Sequence, residues 1–175
     1  MRTKYLDVHG HATFCHFLGP TTLPGVPPDL SRGRKVILIH GAGGNGNTWH
    51  YQIESLAPKH SPIALDLPGH GRSSGVEGLM SIRDYSEFLA HFMDTLGIDS
   101  AVLAGWSMGG AIALAFAARF PGMASRLLLI GTTPCLIQRP DWPHAVPPAA
   151  AEQLGQVLAS DYGTGIEMFC SMMFP

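Results

Sequence analysis

The sequence predicts an α/β fold on a mostly parallel β-sheet, and three observations carry that prediction. Short apolar runs alternate with longer segments of helical period, which is the rhythm of strand–helix–strand units. Glycine-rich stretches follow the ends of those runs, as at Gly41 to Gly46 and Gly105 to Gly110. The composition suits a packed core, with 46% hydrophobic and 14% charged residues in a chain of 175. That charged fraction is well below the roughly 25% of an average soluble domain, so disorder is excluded for most of the length.

Taken in order, Tyr5 to Val8 and Ala12 to Leu18 flank Gly10 and read as an N-terminal antiparallel hairpin. A connector rich in Pro, Gly and Thr runs from Gly19 to Pro28. Lys35 to His40 is a short apolar run ending in glycines, as a strand buried on both faces does. Thr48 to Pro58 reads as a helix, Pro62 to Leu67 as the next strand and Ser81 to Leu96 as a longer helix. Ser81 is its N-cap, with Asp84 three residues on, and Gly97 its C-terminal stop. Ala101 to Ala104 is a strand, Met108 to Arg119 a helix of small residues closed by Pro121, and Arg126 to Ile130 a further strand. Pro134 to Pro148 carries five prolines with Trp142 and His144, which favours an ordered excursion over a strand or helix. Short helices are expected at about Ala149 to Ala159 and Gly165 to Met173. The domain reading is 1–132 for the sheet core and 133–175 for the start of a helical cap.

A formal charge of −2 excludes binding of nucleic acid or an anionic membrane by electrostatics alone. No apolar run reaches signal-peptide or membrane-spanning length, and Cys15, Cys135 and Cys170 are too few and too far apart for a disulfide framework. A cytoplasmic protein without cofactor or metal is expected. His9, His11, Cys15 and His16 could be read as a metal site, but alternating side chains of a hairpin explain the same pattern.

The chemistry lies in the glycine loops. Gly41 to Gly46 fits GxGxxG after a strand and before a helix, and Asp66 stands 20 residues beyond Gly46. A dinucleotide site would use those backbone N–H groups for pyrophosphate and Asp66 for a ribose. There is no GK[ST], so a Walker phosphate loop is excluded. The rival is an oxyanion loop, in which His40-Gly41-Ala42-Gly43 turns a backbone N–H toward developing negative charge. Gly105-Trp106-Ser107-Met108-Gly109 decides between them. A GxSxG between a strand and a helix is a nucleophile elbow, and its glycines let the two backbones approach closely. Ser107 is then the nucleophile, and the N–H groups of Ala42 and Met108 are the oxyanion donors. Asp66 and His70 read as members of a structured turn.

With HGAGG, DLPGHGRS and GWSMGG in this order, the chain resembles the α/β-hydrolase superfamily over nearly all of its length. Thr133-Pro134-Cys135 and Arg139 to Pro143 are similar to the pimeloyl-acyl-carrier-protein methyl ester esterases of biotin synthesis. The resemblance implies a serine carboxylesterase that hydrolyses an acyl methyl ester, with an acyl carrier protein as partner. It also implies lid helices after Pro147, with Asp161-Tyr162 and Ile166 to Phe169 at the family's spacing, and acyl-chain contacts at Phe169 and Trp106. Two departures stand out. The Gly163 to Met168 segment has none of the basic side chains that would meet an acidic carrier protein. In this family the acid and histidine follow the serine, yet eight of the nine histidines precede Ser107.

Only His144 follows, beside Asp141 and Trp142 in the proline-rich excursion, where a lid or packing role is expected. At about 30 residues per strand–helix unit, 60–90 residues that would carry the last two strands are expected to be missing. A chain without that base is expected to be nearly inactive, since its loss costs on the order of 10⁶ in turnover. The alternatives are a silent acyl-binding module and another hydrolase activity of the same fold: lipase, C–C hydrolase or thioesterase.

Overall fold

A computed structural model describes residues 1–20, 22–73, 79 and 81–173. Six strands form one sheet in the order β1-β2-β4-β3-β5-β6. The hairpin pairs β1 (Arg2–Val8) with β2 (His11–Phe17) in antiparallel register from Arg2 opposite Phe17 to Val8 opposite His11. Its turn is made by His9 and Gly10, both at positive φ. Strand β2 runs antiparallel to β4 (Ser61–Leu65), and β4, β3 (Lys35–Ile39), β5 (Ala101–Trp106) and β6 (Ala124–Ile130) are parallel to one another.

The strand order positions the site. From β3 the chain crosses to β4 on one side and later reaches β5 on the other side. The carboxyl ends of β3 and β5 are therefore neighbours whose outgoing loops diverge. Such a switch point leaves a crevice at the sheet's carboxyl edge, the usual ligand position in open α/β sheets.

Alternation along β3 divides the core between the two faces. Ile37 and Ile39 join the larger cluster with Phe88 and Phe92 of α2 (Ile82–Thr95) and Ile112 and Phe116 of α3 (Met108–Arg119). Val36 and Leu38 face the other way and cluster with Trp49 and with Ile53 of α1 (His50–Leu56). Ser81 caps α2 as expected: its hydroxyl accepts the Asp84 N–H at 3.2 Å and donates to the Asp84 carboxylate at 2.7 Å. Gly97, at φ 63°, follows its last turn.

Several elements are longer than the sequence reading, with β1 starting at Arg2, β5 running on to Trp106, β6 starting at Ala124 and the last helix at Tyr162. Two further differences have a local cause. The helix expected at Thr48 to Pro58 begins as a 3-10 turn at Gly46–Trp49, because the Asn45 side chain accepts the Asn47 N–H and starts the coil early. Strand β4 stops at Leu65, before the expected Leu67. There the Asp66 N–H still reaches the Phe14 carbonyl, but the Leu67 N–H turns to the His40 ring.

The chain divides into two compact units, residues 1–133 and 134–175. In the second, bridges between Ile137 and Val146 and between Arg139 and Trp142 order the proline-rich segment. Helix α4 (Pro148–Ser160) then starts on Pro148, where a missing N–H costs nothing, and packs on α5 (Tyr162–Met173). Gly165 allows this approach, since a Cβ there would lie 2.6 Å from the Leu158 side chain. Gly75, part of the glycine-rich turn after Asp66, lies outside the described residues.

Candidate active site

The elbow is built by steric necessity. Ser107 sits between β5 and α3 at φ 53°, ψ −118°, a conformation that costs a non-glycine residue roughly 1–3 kcal/mol. Its surroundings hold it there. The Ser107 N–H donates to the Ile130 carbonyl at 2.9 Å. The Ser107 carbonyl accepts the N–H groups of Gly110 and Ala111 at 3.0 and 3.2 Å and the Thr132 hydroxyl at 3.1 Å.

Three glycines supply the space. A Cβ on Gly105 would fall 2.3 Å from the Gly109 carbonyl oxygen, one on Gly109 would fall 2.2 Å from the Ile39 carbonyl oxygen, and one on Gly110 would fall 1.9 Å from the Thr132 hydroxyl. No side chain fits at any of them, so the small residues in GxSxGG record how closely β5, α3 and β3 approach.

The loop after β3 closes on this elbow. A Cβ on Gly41 would lie 3.2 Å from both the Ser107 Cβ and the Trp106 carbonyl oxygen. The Gly44 N–H donates to the Gly41 carbonyl at 3.1 Å, and Gly43 takes φ 69° to complete the turn. Ala42 is exposed at its tip. The Met108 N–H is the first of α3 and has no intrahelical acceptor, and the positive end of the helix is directed at the Ser107 position. Trp106 is 42% exposed beside Gly131. The Ser107 side chain makes no capping hydrogen bond to the first turn of α3.

His40 is the residue that motif reading underrated. It is fully buried, and its ring bridges two backbones: Nδ1 donates to the Gly41 carbonyl at 2.7 Å, and Nε2 accepts the Leu67 N–H at 3.0 Å. Only the neutral ring protonated on Nδ1 satisfies both partners. Burial is the main cause that brings its pKa down to about 4, and the His70 imidazole adds to it.

Asp66 joins three segments. It accepts the Gly46 N–H at 2.7 Å, the Arg72 N–H at 2.8 Å and His16 Nε2–H at 3.1 Å. Burial alone would raise its carboxyl, but hydrogen bonds from His16, Arg72 and Gly46 outweigh it and hold the group below its ordinary value. This geometry disposes of the dinucleotide reading. The Gly46 N–H is spent on Asp66, whose two carboxylate oxygens are taken by Gly46, His16 and Arg72, and Gly46 is a glycine because a Cβ there would stand 2.5 Å from the His16 ring.

The histidines of the hairpin also diverge. His9 stacks on His91 with centroids 3.9 Å apart, His11 meets Phe88 edge-on, and Cys15 is buried in the core. Among the described residues, no three His, Cys, Asp or Glu side chains are grouped to hold a metal ion.

In the second unit, Phe169 is 40% exposed on α5. Asp161 begins that helix by accepting the Thr164 N–H and hydroxyl at 3.2 and 2.7 Å. Asp141 pairs with Arg139 at 3.3 Å, and His144 lies edge-on to Trp142.

The family described as the alpha/beta hydrolase fold matches residues 35–163, from β3 through both glycine loops into the second unit. The chain belongs to the α/β-hydrolase family. Among its relatives is the pimeloyl-[acyl-carrier protein] methyl ester esterase of Stenotrophomonas maltophilia (strain R551-3). That protein is 36% identical over 141 residues, or 81% of this chain and 52% of its own. The enzyme of the same name from Pectobacterium atrosepticum is 32% identical over 137 residues, covering 78% of this chain and 51% of its own. This α/β-hydrolase chain thus spans about half the length of these relatives. An esterase from Exiguobacterium antarcticum superposes with a TM-score of 0.77 at 22% identity over 97% of this chain and 60% of that one, which shows the shared fold. No helix among the described residues is long and apolar enough to cross a membrane.

Proposed function

We propose that this chain carries the nucleophile and the oxyanion donors of a serine carboxylesterase that hydrolyses the methyl ester of a carrier-linked acyl chain, the substrate class being pimeloyl-acyl-carrier protein in biotin synthesis. One observation carries the reading: Ser107 is held in a strained elbow directly against the Gly41 loop. The names of the relatives support the substrate class. In this mechanism Ser107 Oγ attacks the ester carbonyl while its proton passes to a base. The tetrahedral oxyanion is held by the Ala42 and Met108 N–H groups, and it collapses with protonation and loss of methanol. Water then cleaves the acyl-enzyme, releasing the free acid and restoring the serine. Trp106 contacts the acyl chain, and the enzyme works in the cytoplasm.

His144 is the one histidine after Ser107 and lies edge-on to Trp142, so we expect the chain by itself to turn over slowly. The test is methanol release from a methyl-pimeloyl carrier thioester, compared between wild type and Ser107→Ala. Slow release that drops to the buffer rate in the variant supports the reading. Equal rates in both eliminate Ser107, and normal enzyme rates in the wild type overturn the expectation of slowness. That His144 is the one histidine after Ser107 also favours a second reading, a silent acyl-binding module. That module would bind a fatty acid equally well with or without Ser107.

A further inference from the structure

We propose that His40 is a positioning residue of the oxyanion loop: its Nδ1–H, donated to the Gly41 carbonyl, orients and polarises the peptide unit whose opposite end is the Ala42 N–H. The inference rests on the assignment of Ala42 as an oxyanion donor. The Gly41 carbonyl and the Ala42 N–H belong to one planar trans peptide and point in opposite directions. Whatever holds the carbonyl therefore aims the amide. The carbonyl is held from two sides, by His40 Nδ1 at 2.7 Å and by the Gly44 N–H at 3.1 Å.

Each bond withdraws electron density through the amide, and such chains strengthen one another by about 10–30% per bond. The Ala42 N–H is made a better donor as well as a fixed one. The arrangement matters because Gly41 has no side chain to restrict rotation of this peptide. A Cβ there would stand 3.2 Å from the Ser107 Cβ and the Trp106 carbonyl oxygen, tighter than ordinary contact, so glycine relieves crowding at this position. The free rotation this introduces is removed from outside by the His40 ring.

The ring is itself locked. The Leu67 N–H at Nε2 forces the proton onto Nδ1, and Leu67 follows directly on Asp66, whose carboxylate ties down Gly46 and Arg72. The other tautomer would set N–H against N–H and lone pair against carbonyl. An imidazolium would lose the Leu67 bond. The titratable groups around the ring are His70, with centroids 5.2 Å apart, and Asp66 and His16 farther off. Burial keeps the ring neutral down to about pH 4.

The first measurement is ¹⁵N NMR of the histidine-labelled full chain. A protonated Nδ1 and bare Nε2 at His40, unchanged from pH 7.5 to 5, are expected; an Nε2–H tautomer overturns the proposal. The second compares wild type, His40→Asn, which keeps a donor for Gly41, and His40→Ala. The Ala42 amide resonance is expected to move upfield in His40→Ala and to be restored in part in His40→Asn. The rate of Ser107 labelling by a fluorophosphonate is expected to fall about 10- to 100-fold in His40→Ala, less than the 10²–10³ for removing a donor outright, with recovery in His40→Asn.

An Ala42 resonance and a labelling rate indifferent to all His40 variants overturn the proposal. Should His40→Ala not fold, the wild-type tautomer and the His40→Asn comparison still decide. A wild-type chain that shows the expected tautomer and Ala42 shifts, but whose methanol release is unchanged in Ser107→Ala, defeats the esterase reading and leaves the positioning role intact.

Discussion

Strands β3 and β6 have nearly the same apolar signature, VILI at 36–39 and LLLI at 127–130, and opposite fates. In β3 all four are buried, at 7% exposure or less. In β6, Leu128, Leu129 and Ile130 are 49%, 43% and 46% exposed. The difference is in their neighbours. Strand β3 is paired on both edges, with α3 against one face and Trp49 and Ile53 clustered with Val36 and Leu38 on the other. Strand β6 is paired with β5 alone among the described strands. On the α1 face, Leu128 and Ile130 line one wall of an open apolar groove of about 270 Å³ with Val36, Leu38, Trp49 and Val102. A continuous apolar run states that a strand is suited to burial on both faces; only what packs around it supplies that burial.

The largest effect expected is at the junction of β3, β5 and α3. Gly109→Val puts side-chain atoms into the Ile39 carbonyl and is expected to cost more than about 4 kcal/mol, seen as loss of soluble chain or of the cooperative urea transition. The comparison itself is broken or upheld by matched truncations. Leu38→Ala is expected to cost about 3 kcal/mol and Leu128→Ala less than about 1 kcal/mol in chemical denaturation. Equal costs would mean that β6 is covered in solution.

Acid tests the end of β3. The His40 pKa falls from 6.5 in the unfolded chain to about 4 in the folded one, so below pH 6.5 the unfolded chain takes up a proton that the folded chain refuses. The stability from this group is complete above pH 6.5 and is lost as pH falls toward 4, by up to about 3 kcal/mol. Urea midpoints measured from pH 7 to 4.5 check this, and His40→Asn is expected to flatten that part of the slope. No such loss is expected from β6, which carries no buried titratable group.

One effect of small size has the opposite sign. Ser107→Gly relieves a positive φ and is expected to stabilise the chain by about 1 kcal/mol, while Ser107→Ala, which keeps the strained backbone, is not. A rise in thermal midpoint in the glycine variant alone would show that the elbow stores strain.

Much of the site was legible because steric rules leave glycine no substitute. The spacing of Gly105, Ser107, Gly109 and Gly110 announced an elbow, and the Ser81–Asp84 pair announced the start of α2. The two loops were harder to interpret. GxGxxG at 41–46 by itself fits either phosphate or oxyanion binding, because both need close backbone approach; the GxSxG at 105–109 tips the balance, and Asp66 accepting the Gly46 N–H adds a tertiary reason. His40 was visible as the residue before the glycines. Its role was not, because its partner Leu67 lies 27 residues away on another strand's exit.

By itself, then, the sequence determined the elements, the alternation of their faces, and where the backbone must bend sharply. Those are local consequences of side-chain size, branching and φ preference. Tertiary structure alone decided which loops meet, which histidine is locked neutral and which apolar strand is left uncovered. Each of these depends on groups far apart in the chain, whose burial and hydrogen bonding exist only once the sheet order brings them together.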